Sequence, residues 1–282
     1  MNITIGKLIL ISIVPAILWF LFYHLNRKNK EPLKLLIFSF IFGMIGALII
    51  IGIEYYYFEM TGNSILNKFI SKGFSHNTIS FIFSFIEEIV KDIFIFFIIF
   101  FNLEEINTTS DGVEYGITVG LGFAFFENIY YFFSILGLQN MSAFMNVYLF
   151  RSLGTMFAHS IFSGLFGYIV GYVLYDSLHE QKIIKKFDGI KNRVKQIIFE
   201  ILTFHIFLNH LLQDKASKKG HNLVVAIVEG AFLGIVLHFI FNMLLHAKFK
   251  GIDLYFLIVP VLVILGLLML KIVKSSSLYS LE

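Results

Sequence analysis

The chain has 282 residues, of which 57% are hydrophobic and 15% charged, with a formal net charge of +3 and a mean hydropathy of +0.81. That composition lies far outside the soluble globular range and predicts an all-α, polytopic helical membrane protein whose bulk partner is the lipid bilayer. The small net charge, with its basic residues gathered in loops, excludes a nucleic-acid-binding surface, and the absence of cysteine excludes disulfides, thiolate metal ligands and a cysteine nucleophile.

Taken in chain order, apolar runs of about 20 residues or more, enough to cross a bilayer, occupy Ile3 to Leu25, Leu33 to Phe58, Thr78 to Phe101, Gly112 to Leu136, Asn146 to Tyr175, Leu223 to Leu245 and Ile252 to Ile272. The first run has no small-residue cleavage site and reads as a retained span. An eighth candidate, Ile197 to Leu212, is shorter and carries Glu200, His205, Asn209 and His210. If it spans, Lys and Arg divide 12 against 8 between the two sides; if it lies in the interface they divide 15 against 5, which fits the positive-inside tendency better. Ile197, Ile201, Phe204, Leu208 and Leu211 also share one apolar face at helical spacing. The expectation is therefore seven transmembrane helices plus one in-plane amphipathic helix, with eight spans as the alternative. The amino terminus lies outside, the carboxyl terminus is cytoplasmic, and residues 1–282 form a single membrane domain with a cytoplasmic insertion at 178–222.

Polar residues inside the spans carry the chemistry. The third run contains Glu87, Glu88, Lys91 and Asp92 near its centre, where each charge costs roughly 3 kcal/mol or more unless it meets a cavity or a partner. On a helix Lys91 reaches back to either glutamate, leaving one carboxylate free to accept a proton. The fourth run adds Glu127 and Asn128, the fifth Arg151 and His159, the sixth Glu229, His238 and Asn242. Counted at about 1.5 Å per residue, Glu87, Glu127, His159 and His238 fall at similar depths, so one cluster is more economical than four exceptions. Glu229 and Asn128 taken singly read as structural groups. Glycines at 112, 116, 120 and 122, and at 164, 167 and 171, let helices approach closely and hold the cluster together.

In order along the chain, Glu87-Glu88-x-x-Lys91, Asp111-Gly112-x-x-Tyr115-Gly116 running into Gly122-Phe123-Ala124-Phe125-Phe126-Glu127-Asn128, His159 with Arg151 eight before it, and His238-x-x-x-Asn242 together resemble the PrsW family. Pro15 and Glu31-Pro32 extend the resemblance over nearly the whole chain. Two features depart from that pattern: Asn242 stands where the family has aspartate, and the 178–222 segment is longer than the family's connector. The resemblance implies a glutamate-type intramembrane endopeptidase, distantly related to the CAAX prenyl endopeptidases, in a bacterial cell membrane, acting on membrane-protein substrates such as anti-sigma factors.

In the expected mechanism water is the nucleophile, Glu87 or Glu88 is the base, and His159 orients the water. His238 and Asn242 donate to the oxyanion, Glu127 holds a histidine tautomer, and Lys91 and Arg151, with Asn128, support the carboxylates. No cofactor is expected. A metal-dependent protease ranks second, because no His-Glu-x-x-His pair is present, and a proton or cation transporter or a non-catalytic scaffold stands behind both. Cleavage is expected near the extracytoplasmic boundary of single-span substrates.

Overall fold

The computed structural model describes residues 5–27, 30–62, 64, 72–73, 75–108, 110–136, 140–179, 223–246, 248–249, 252–253 and 257–275. Its helices are α1 (Ile5–Leu25), α2 (Leu33–Thr61), α3 (His76–Phe101), α4 (Asp111–Leu136), α5 (Met141–Phe150), α6 (Met156–His179), α7 (Leu223–His246) and α8 (Ile258–Ser275). A π-helical turn at Arg151–Thr155 joins α5 to α6 without a break, and a 3₁₀ turn at Leu103–Glu105 follows α3. The one departure from an all-helical chain among the described residues is a two-residue antiparallel ladder, β1 (Lys248–Phe249) with β2 (Ile252–Asp253). The proposed in-plane helix at 197–212 and nearly all of the 178–222 insertion lie outside the described residues.

By length and composition, four segments suit a bilayer crossing: Gly6–Leu25, Leu33–Thr61, Met141–Tyr175 and Leu223–Leu245. Ile258–Ile272 is a shorter apolar helix. The protein is thus a helical membrane protein. Helices α3 and α4 are the polar ones, and they carry Glu87, Glu88, Lys91, Asp92 and Glu127 inward.

Helix α4 is the centre of the fold. Every residue from Asp111 to Phe125 is buried, which an amphipathic surface helix never achieves and which requires helices on all sides. Glycine makes this possible at two seams. Against α6, a Cβ on Gly120 would lie 2.4 Å from the carbonyl oxygen of His159, and one on Gly112 would lie 2.0 Å from that of Gly167. Against α2, a Cβ on Gly43 would lie 2.0 Å from the carbonyl oxygen of Val119. Backbone therefore rests on backbone, as in small-residue membrane interfaces. Gly120→Val is expected to force α6 away from α4 and displace His159 with it, at an overpacking cost of about 1–3 kcal/mol. Thermal unfolding in detergent should register the loss, and an unchanged melting temperature would mean the seam is not as tight as drawn.

The end of the bundle where α1 turns into α2 is closed by buried ions. Arg27 Nη2 lies 2.7 Å from Asp111 Oδ1 and 3.6 Å from Glu31 Oε1, its Nε is 3.4 Å from Glu114 Oε2, and its Nη1 donates to the carbonyl of Ser110 at 2.8 Å. Tyr115 donates its hydroxyl proton to Glu31, and His24 pairs with Glu114. Asp111 in turn accepts the backbone N–H groups of Asn107 and Thr108 in the preceding loop at 2.6 and 2.7 Å, and its charge stands at the positive end of α4.

Burial, and then repulsion from Asp111, push the Glu31 carboxyl up to about 8. The folded protein therefore keeps a proton that the unfolded chain releases in the ordinary glutamate range. Stability from the protonated carboxyl is complete at acid pH and is lost as pH rises toward and through about 8, by at most about 1.4 kcal/mol per pH unit. Glu31→Gln, which mimics the protonated form, should flatten this decline in melting temperature between the ordinary glutamate range and about pH 8; a decline of the same slope in the variant would assign it to another group.

Candidate active site

Five elements contribute to one cavity of about 320 Å³, lined by residues of α2, α3, α4, the α5–π–α6 rod and α7. Each polar side chain reaches it for a local reason. On α3, Glu87 and Glu88 are neighbours about 100° apart around the helix axis, and they divide accordingly. Glu87 lines the cavity, whereas Glu88 is fully buried behind it. Lys91, one turn on, is also fully buried and donates to Glu88 Oε1 at 2.6 Å. Of the two carboxylates within its reach, Lys91 is bonded to the one facing away from the cavity.

From α7, His238 sets its Nδ1 2.5 Å from Glu88 Oε1. A carboxylate only accepts, so the imidazole proton sits on Nδ1 and the Nε2 lone pair is left over. That Nε2 lies 3.8 Å from Glu87 Oε2. His159 on α6 has its Nδ1 2.9 Å from Lys91 Nζ and its Nε2 3.2 Å from Glu127 Oε2. The lysine ammonium donates to Nδ1, which puts the histidine proton on Nε2, facing Glu127. The two imidazole rings meet edge to face at 5.0 Å between centroids.

Arg151 belongs to the π turn, which inserts one extra residue per turn and so re-aims side chains; such turns recur at functional sites. Its Nη2 is 2.7 Å from Glu127 Oε2, its Nε donates to Asn128 Oδ1 at 2.7 Å, and its guanidinium stacks 3.8 Å from the ring centre of Tyr131. Asn242, one turn beyond His238, donates to Ser84 Oγ at 3.0 Å and lines the cavity.

All nine residues expected from the sequence thus gather in or directly behind this cavity: Glu87, Glu127, Arg151, His159, His238 and Asn242 line it, and Glu88, Lys91 and Asn128 stand behind. Glu229 and Asp92 do not line it. Asp92 is buried, and its Oδ2 has no hydrogen-bond partner among the described residues. His205 and His210 lie outside the described residues. Sequence reasoning missed Tyr131 and Ser84, whose roles depend on contacts between helices, and Glu54 of α2, which also lines the cavity. A lone acid near the end of the second apolar run was the signal available for Glu54.

One ligand atom each from Glu87, His159 and His238 lie within 4.8 Å of one another. Two ligands of a tetrahedral ion held at about 2.0–2.1 Å stand about 3.3 Å apart, so the 3.8 Å between His238 Nε2 and Glu87 Oε2 is close to what such an ion needs. Glu87 Oε2 is buried without a hydrogen-bond partner among the described residues, which fits an atom that awaits a cation or a proton. The His238 tautomer, fixed through Nδ1 by Glu88, has the carboxylate–histidine arrangement that supports metal ligands. His159 needs one adjustment: ligation through Nε2 displaces the proton now facing Glu127, so cation affinity should rise with pH.

Residues 31–190 match the model of a family described as "PrsW family intramembrane metalloprotease". Curated relatives include Protease PrsW of Oceanobacillus iheyensis, 28% identical over 160 residues that span 57% of this chain and 66% of that protein. The Protease PrsW of Shouchella clausii is 25% identical over 63% of this chain and 75% of that protein, and that of Halalkalibacterium halodurans 26% identical over 62% and 74%. No solved structure matches the chain.

Proposed function

The chain belongs to the PrsW family of intramembrane proteases, and on that premise we propose that it is a metal-dependent endopeptidase of a bacterial cell membrane, cutting single-span membrane proteins of the anti-sigma-factor kind. The observation that carries the metal is the convergence of Glu87, His159 and His238 from three different helices. Two imidazoles and a carboxylate are the donor set of hydrolytic zinc sites. A divalent ion held by them would polarise the scissile carbonyl and acidify water.

The chain's own groups do the rest. Glu127 lines the cavity beside His159 and is the proton acceptor, clamped in place by Arg151. Asn128 and the Tyr131 ring hold the arginine so that it steadies the carboxylate. Asn242 spends one amide N–H on Ser84 and turns the other toward the substrate oxygen on which charge develops. Glu88 and Lys91 position the two histidines from behind.

A metal-free reading, with Glu87 as base, is favoured by the unpartnered Glu87 Oε2 facing the same cavity. Metal analysis separates the two. Purified protein should carry a stoichiometric divalent ion, chelation should remove ion and cleavage together, and Glu87→Gln should lose both. Full cleavage by metal-stripped protein would overturn the metal reading and leave Glu87 as the base.

Seven spans, with the amino terminus outside, suit the proposal. Lys91 and His238 meet the buried Glu88 of α3, and Arg151 of the π turn and His159 of α6 meet Glu127 of α4, which helps these helices cross lipid despite their polarity. A spanning helix offers no free carbonyl, so the target must be extended or unwound, and backbone at the outer membrane boundary meets that need most cheaply.

A further inference from the structure

Glu54 is the cavity-lining acid for which neither the metal site nor the proton transfer has a use. It lies on α2, 21 residues beyond Leu33, about 32 Å along the helix at 1.5 Å per residue, where α2 approaches the far boundary of the hydrocarbon core. A carboxylate there persists when it faces an aqueous cavity or meets a cation. Glu54 faces the same cavity as Glu87 and Glu127. Among the described residues no hydrogen bond or ion pair to it is found. The cation lining the cavity, Arg151, is already committed to Glu127, Asn128 and the face of Tyr131. Glu54 is therefore a cavity carboxylate that no cation among the described residues answers and that the reaction does not use.

What surrounds that charge narrows the ligand. Tyr130 and Tyr131 line the cavity with Glu54, and both remain partly open to the outside, at 44% and 40% exposure. Aromatic walls leading to a carboxylate suit a long cationic side chain, whose methylene stem lies along the rings while its head pairs with the acid. They suit neither an anionic segment, which the carboxylate repels, nor a purely apolar one, which would desolvate it without compensation.

We propose that Glu54 forms a specificity subsite that selects substrates carrying a lysine or arginine within a few residues of the scissile bond, on the part of the substrate that crosses the cavity mouth. The inference rests on the protease reading but not on the presence of the metal. It makes Glu54 a substrate-selecting residue, with no part in bond cleavage itself.

The test uses the full chain reconstituted in liposomes with a panel of single-span reporters. All share one apolar span, and each carries a single Lys, Gln or Glu at successive positions across the outer membrane boundary. The wild type should cleave the Lys reporter about tenfold or more faster than the Gln reporter at one or two positions, the scale at which a charge-assisted pair loses a partner, and should disfavour Glu there. Glu54→Gln should bring the Lys-to-Gln ratio near one, and Glu54→Lys should invert the preference toward Glu, a gain that no misfolded variant can imitate. An unchanged Lys-to-Gln ratio in Glu54→Gln, or a wild type indifferent to charge, overturns the subsite and leaves the protease reading standing. No cleavage of any reporter by the wild type overturns both.

Discussion

Glu127→Gln is expected to yield a folded, membrane-inserted protein that binds its divalent ion as the wild type does and cleaves its substrate about 10²- to 10⁴-fold more slowly, the usual worth of a positioned proton acceptor. The amide keeps the volume of the carboxylate and leaves an oxygen beside Arg151, whose Nη2 is 2.7 Å from Glu127 Oε2. It cannot take a proton from water. Glu87→Gln should differ in kind, since on the metal reading it removes one of three candidate ligand groups and should lower metal content along with cleavage. The pair of variants therefore separates two carboxylates that share one cavity. If Glu127→Gln lost metal and cleavage together while Glu87→Gln kept its metal and lost activity, the roles assigned to the two residues would have to be exchanged.

That division of labour marks where the sequence stops being informative. Local spacing makes Glu88–Lys91 readable as an i, i+3 pair, and the shared depth of Glu127, His159 and His238 makes the cluster readable as a cluster. Spacing cannot say which of Glu87 and Glu88 faces the cavity. The choice is made by His238, 150 residues from Glu88 along the chain, whose Nδ1 takes the inner carboxylate and leaves the outer one free. For the same reason a search for a local ligand pair ranks a metal second: the three candidate ligand atoms come from α3, α6 and α7 and meet only after packing. The rod from Met141 to His179 shows a further limit. Its apolar run is plain from sequence, but no residue type announces the π turn at Arg151–Thr155 that carries Arg151 beside Glu127. Arg27 closing on Asp111, 84 positions away, was equally invisible, although Glu31-Pro32 and Asp111-Gly112 both stood out as motifs.

Lys91→Met should be the most destabilising single change in the membrane core. Lys91 is fully buried, and its ammonium is the cation that balances Glu88, also fully buried. Removing one partner of such a pair leaves an uncompensated charge in low dielectric, at a cost of about 3–5 kcal/mol, and also strips His159 Nδ1 of its donor. Loss of activity in this variant alone would say nothing of mechanism, because the fold itself is at risk. The double variant Glu88→Gln/Lys91→Met resolves the ambiguity. It removes both charges at nearly constant volume, and the glutamine carbonyl can still accept from His238, so most of the lost stability should return. Cleavage should not return with it: His159 still lacks the group that sets its ring, and outer partners of this kind are worth about 10- to 100-fold in metal affinity or activity. Melting temperatures and cleavage rates measured on the wild type, the two single variants and the double variant give both readouts. A double variant as unstable as Lys91→Met would show that the lysine contributes through packing and not through charge, whereas one with full activity would remove Lys91 and Glu88 from the positioning of the histidines.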